Sequence, residues 1–167
     1  MGLQLLGLTN MGETIEEDSE LTFRILTEDD IDAMIAIDEL IVQRKRSDLF
    51  REQFLEQIAN HGEEAFGAFV DEETLVGFVA CETKVYIYGY EDLSAWIVFL
   101  AVDPNFQDQG IGTALMKKVI DHYTEKGIKV IRTICQWNWG DLVEFFSSVG
   151  FKQSSFLTLE MNISKGS

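Results

Sequence analysis

The run "AWIVFLAV", Ala95–Val102, constrains this chain more than any other stretch. All eight residues are apolar, so neither face of a strand built from them can meet water. It reads as a buried strand whose sheet is covered on both sides. Directly after it, "DPNFQDQGIGTALMKKVIDHY" (Asp103–Tyr123) holds the chain's only proline, then two glycines one residue apart. Met116, Val119, Ile120 and Tyr123 then recur at helical spacing, so a helix begins where the glycines stand.

The rest of the chain supplies layers for that sheet. "LTFRIL" (Leu21–Leu26) alternates as a strand should, and "TEDD" after it offers Thr27 as N-cap with Asp30 three residues on. Ile31, Met34, Ile37 and Ile41 predict a first helix. "QRKRS" ends it as the densest basic patch of the chain, and Ser47 caps a second helix with Phe50, Phe54 and Ile58 on one face. "EAFGAFV", an acidic turn at Asp71–Glu73 and "TLVGFVACETKVYIY" read as a hairpin, followed by a loop at "GYEDLS". Gly127 is placed to end the helix after the glycine turn. "IKVIRTICQ" reads as a further strand, "GDLVEFFSSVG" as a short helix ended by Gly150, and "FKQSSFLTLEMNI" as closing strand material. The order predicts one mixed α/β domain over residues 21–163. Residues 1–20 read as a loosely ordered extension and 164–167 as a tail.

Composition narrows the partners. Of 167 residues, 29 are acidic and 13 basic, a formal charge of -16, which argues against nucleic-acid or anionic-membrane binding. The first ten residues are apolar but lack a basic start and a cleavage site, and nothing approaches a membrane span of about 20 residues, so the chain reads as cytoplasmic. Cys81 and Cys135 stand in apolar surroundings without metal or redox spacing, and with only His61 and His122 no zinc set can be assembled.

The glycine turn is the candidate site. The first N–H groups of a helix lack internal partners and carry the positive end of its dipole, which suits an anion. No lysine follows these glycines at P-loop spacing, and Leu115 occupies the third glycine of a dinucleotide fingerprint. What remains is Gln107-x-x-Gly110-x-Gly112.

In this, "VDPNFQDQGIGTALM" resembles the acetyl-CoA signature of the GNAT-type N-acetyltransferases, [QR]-x-x-G-x-[GA]. "NWGDLVEFFSSVGFK" is similar to the family's later motif, and "LTFRILTEDDIDAMIAI" to its first strand and helix. The resemblance implies a central twisted mixed sheet of six to seven strands flanked by about four helices. It implies acetyl-CoA as cosubstrate with no metal, an amine-bearing acceptor as partner, and allows a homodimer. It assigns the diphosphate to the N–H groups of Gln107, Asp108, Gln109, Gly110, Ile111 and Gly112, with Thr113 just behind. It lays the pantetheine arm along Leu100, Ala101 and Val102, gives the Leu100 N–H the thioester oxygen, and gives Asn138 a contact with CoA, one residue earlier than the commonest spacing.

Two usual catalytic groups are missing. The resemblance puts the general base at Trp96 and the general acid at Phe146, and neither side chain can serve. Glu82 and Asp92 are the substitutes for the base, with Tyr88, Tyr90 and Glu91 nearby. A lysine amine with a pKa of about 10.4 is neutral about once in 2,500 at pH 7, an α-amine near 7.8 about once in seven. Only the first needs much help from a base. Two functions are therefore carried forward: direct acetyl transfer to a primary amine, and a CoA-binding regulatory module with weakened catalysis.

Overall fold

The computed structural model describes residues 21–85, 93–136, 138 and 140–163. The N-terminal extension, the tail, and Tyr88, Tyr90, Glu91, Asp92 and Trp139 lie outside the described residues.

The elements follow in the order β1 (Leu21–Ile25), α1 (Ile31–Val42), α2 (Asp48–His61), β2 (Ala65–Val70), β3 (Thr74–Val85), β4 (Leu93–Val102), α3 (Ile111–Glu125), β5 (Ile131–Thr133) and α4 (Gly140–Ser148). The strands form one sheet in the order β1-β2-β3-β4-β5. The first three pairings are antiparallel, and β4 with β5 is parallel. The acidic turn between β2 and β3 closes as expected, with Asp71 and Glu72 both in the left-handed region.

Both faces of the sheet are covered, as "AWIVFLAV" requires. On one face Val79, Cys81, Ala95, Ile97, Leu100 and Val102 pack against Ile111, Leu115, Met116, Val119 and Tyr123 of α3 and Leu142 and Phe146 of α4. On the other, Phe69, Phe78, Ala80 and Ala101 pack against Ile31, Met34, Ile37 and Ile41 of α1 and Phe54 and Ile58 of α2. Arg24 and Asp30 fasten β1 to the turn before α1 through two hydrogen bonds, 2.8 and 2.7 Å long.

The sheet holds five strands among the described residues, fewer than the six to seven expected. "IKVIRTICQ" contributes only Ile131–Thr133, because β5 pairs with β4 from Ala95 to Ile97 and no further. "FKQSSFLTLEMNI" forms no strand. Its Leu157, Leu159, Met161 and Ile163 alternate correctly, yet each is more than 80% exposed. Alternation makes a strand only where an edge is available, and the three residues of β5 offer little edge.

Candidate active site

The site is built where β4 and β5 part. Early in β4 the backbone serves β5: the Ala95 N–H donates to Val130 O (3.0 Å), and the Ile97 carbonyl accepts from Thr133 Oγ1 (3.3 Å). At the far end it serves β3, for the Asp103 N–H donates to Val76 O (2.8 Å). All three positions are odd, and strict alternation would send them to the same side. The parity changes because Ala80 faces Phe99 while Cys81 faces Ile97, which leaves Val98 as an extra residue. The packing records the same switch: Ala95 and Ile97 before the bulge share the α3 core with Leu100 and Val102 after it.

The bulge decides which amides face the gap. Counting back from Asp103 by twos turns Ala101 toward β3 and Leu100 and Val102 toward the side that β5 has left. The Val102 carbonyl on that side accepts from Gln107 Nε2 (3.1 Å). The Gln107 side chain thus ties the glycine turn back to the strand end.

The turn itself begins at Asp103, whose Oδ1 accepts from the Asn105 N–H (2.8 Å) and Asn105 Nδ2 (3.0 Å). A 3-10 turn at Pro104–Phe106 follows. Asp108 and Gly110 are both left-handed, with φ of 61° and 79°. Gly110 is the residue before α3, and no atom lies within 4 Å of where its Cβ would be. Conformation, not crowding, calls for glycine there. Gly112 is different: a Cβ would meet Phe145 of α4 at 3.1 and 3.3 Å, so its absence lets α4 dock on α3. Ile111 between them is 1% exposed and plugs into the core. Only its backbone is available to a ligand.

This arrangement fits an extended anion. The first intrahelical bond of α3 runs from the Ala114 N–H to Gly110 O (2.9 Å), so the N–H groups at the start of the helix are not used within it. The first turn carries no acid. Thr113 is exposed just behind, and Asn138 is exposed in the turn that leads into α4.

The candidate catalytic groups are less completely assembled. Glu82 stands directly opposite Trp96 in the β3–β4 register, so the two side chains share a face. The Glu82 carboxylate, a quarter exposed, is paired with Lys84 Nζ, which also lies 4.7 Å from the centroid of the Trp96 ring. Asp92, the other base candidate, falls outside the described residues. Phe146 is 3% exposed, stacked edge-on to Phe145 and close to Phe151, and is core. Burial pushes the Cys81 thiol well above its ordinary range, so it is no nucleophile.

Among the buried polar residues, Gln57 is one that its sequence context did not mark as part of a site. Gln57 of α2 is 8% exposed and donates from Nε2 to Cys81 O (2.7 Å). Its spacing from Phe54, three residues, already placed it on the apolar stripe of α2.

Residues 31–151 match the model of the acetyltransferase (GNAT) family. The chain belongs to the GNAT acetyltransferase family. An uncharacterized N-acetyltransferase of Methanocaldococcus jannaschii is 26% identical over 141 residues, 79% of this chain. The match spans 61% of that protein's length. Among solved structures, the fold is shared with an aminoglycoside acetyltransferase from an uncultured soil metagenomic sample, solved with trehalose (TM-score 0.69, 23% identity, 86% of this chain and 97% of that one). It is shared too with the aminoglycoside N-acetyltransferase AAC(6')-Iy in complex with CoA (TM-score 0.72, 15% identity, 90% and 99%). A transcriptional regulator from Bacillus halodurans has it as well (TM-score 0.71, 23% identity, 86% and 100%). A GNAT chain, then, builds its sheet here with a bulged β4 and a glycine turn at the head of α3.

Proposed function

We propose that this protein is an N-acetyltransferase that moves the acetyl group of acetyl-CoA directly to a primary amine. The observation that carries the proposal is the strand, bulge and turn as one unit. A parted β4 edge and a helix start with unused N–H groups lie end to end, as a thioester with a distant diphosphate needs.

In this reading the N–H groups of Gln107 to Gly112, with Thr113, receive the diphosphate, and Asn138 adds a contact. The edge of β4 that β5 leaves at Leu100 and Val102 receives the pantetheine arm, with Ala101 between them facing β3. The Leu100 N–H donates to the thioester oxygen as negative charge grows on it, a role whose removal typically costs about 10²–10³ in rate. Glu82 takes one proton as the ammonium becomes the neutral, attacking amine. The C–N bond forms and the C–S bond breaks; no acid stands at Phe146, so the departing thiolate takes the second nitrogen proton directly or through water. Positioning carries more of the rate than acid–base assistance. The relatives' acceptors support an amine: two structures of the same fold are aminoglycoside acetyltransferases.

A second reading, a CoA-binding regulatory module, is favoured by Trp96 and Phe146. Release of CoA thiol from acetyl-CoA with a panel of peptide N-termini, lysines, polyamines and aminoglycosides separates the two. The first predicts release above spontaneous hydrolysis with at least one amine, and a loss of about 10² in kcat/KM for Glu82→Gln. Tight binding of acetyl-CoA with no release for any amine would assign the second.

A further inference from the structure

Gln57 stands outside every role given so far, yet it is a buried amide bonded to the strand that faces the bulge. The direction of its acceptor explains why. Ile97 turns its backbone toward β5, so Cys81 opposite it bonds nothing on β4 and faces the β2 side instead. There β2 has already ended: its last partner is Ala65, opposite Ala80. The Cys81 carbonyl has outrun its neighbouring strand, and the Gln57 amide takes the place of the missing ladder bond at 2.7 Å. A buried carbonyl left without a donor is costly, so this contact is not incidental.

The bonded peptide is an unusual one. Its carbonyl belongs to Cys81 and its N–H to Glu82, whose partner across the sheet is Trp96. One rigid plane is held by α2 at one end and β4 at the other. Turning it moves the Glu82 side chain and loosens the register at Val98 that aims the Leu100 amide. We propose that Gln57 is a positioning residue: through the Cys81–Glu82 peptide it fixes the β4 bulge and the Glu82 carboxylate, and so couples α2 to the reacting centre. This rests on the transferase reading above for the roles of Leu100 and Glu82.

The test is Gln57→Met, which keeps the length of the side chain and removes the donor, measured on the full chain. The carbonyl resonance of bound acetyl-CoA labelled with carbon-13 at the acetyl carbonyl reports the hydrogen bond to the thioester oxygen without an acceptor. In the native chain it should lie downfield of free acetyl-CoA, and in the variant it should move back toward the free value. The variant's kcat should fall by at least about ten-fold, while its acetyl-CoA affinity stays within about three-fold. Gln57→Glu supplies a second readout. Its carboxylate faces the carbonyl without a proton to give, so its turnover should be low at neutral pH and recover as the pH falls and the group protonates. An unchanged resonance with native kcat in Gln57→Met, or a Gln57→Glu profile parallel to the native one, would overturn the proposal. Failure of the native chain to turn over any amine would strike the transferase reading alone, since the resonance needs no acceptor.

Discussion

At Gly110 the chain passes through the left-handed region in open space, and at Gly112 it is already helical and lies close against an aromatic ring. The two glycines of one motif thus answer separate demands, one conformational and one of packing. Asp30 shows the same economy in charge. Burial works against its ionised form, but hydrogen bonds from Arg24 and from the Thr27 N–H outweigh it and hold the carboxyl below its ordinary range. A depressed pKa adds stability above the unfolded value, near 3.9, that is lost as pH falls through the folded value. Asp30→Asn should therefore lower the melting temperature at pH 7, and the gap from the native chain should shrink as pH falls below about 4. Thermal denaturation across pH 3 to 7, on the order of ten points, checks this. A gap that stays constant would deny Asp30 its part.

Elements were legible where periodicity alone decides them. The stripes of α1, α2, α3 and α4 and the β2–β3 hairpin stand where their residues predicted. Reach failed where an element depends on its neighbour. β5 stops at Thr133 because β4 bulges away, and Phe151–Ile163 forms no strand because β5 is short. The bulge at Val98 left no mark in the sequence, since every residue from Ala95 to Val102 is apolar and either face would suit it. Register is a relation between two strands, and one strand cannot display it. The candidate site divides the same way. Gln107, Gly110 and Gly112 were readable as a turn, whereas Gln57 and the Phe145 contact needed the fold. That contact yields a prediction for the α3–α4 pair. Gly112→Leu drives a side chain into Phe145, and overpacking of this kind costs about 1–3 kcal/mol. The melting temperature should drop by roughly 2–10 °C, with weaker acetyl-CoA binding as the turn carrying Asn138 shifts. Native stability and affinity in that variant would mean that α4 docks without the close approach.

On the scale of the whole molecule, the proposal places an anionic cosubstrate on a chain of formal charge -16. The general field opposes that encounter, so the attraction must be local and short-ranged. A helix dipole contributes only about 0.3–1 kcal/mol at an exposed site, so several backbone N–H groups must converge on the diphosphate. The head of α3 meets that condition, with a left-handed entry, no acid in the first turn and open space beside Gly110. It also makes the claim separable from folding. A Cβ at residue 110 meets no atom within 4 Å, so a substitution there costs chiefly its φ, about 1–2 kcal/mol. The deciding measurement is titration calorimetry of acetyl-CoA into the native chain and into Gly110→Trp. One acetyl-CoA should bind per native chain, and the variant should bind it at least about ten-fold more weakly with a melting temperature only a few degrees down. Equal affinity in the two proteins, or no binding to the native one, would contradict the claim.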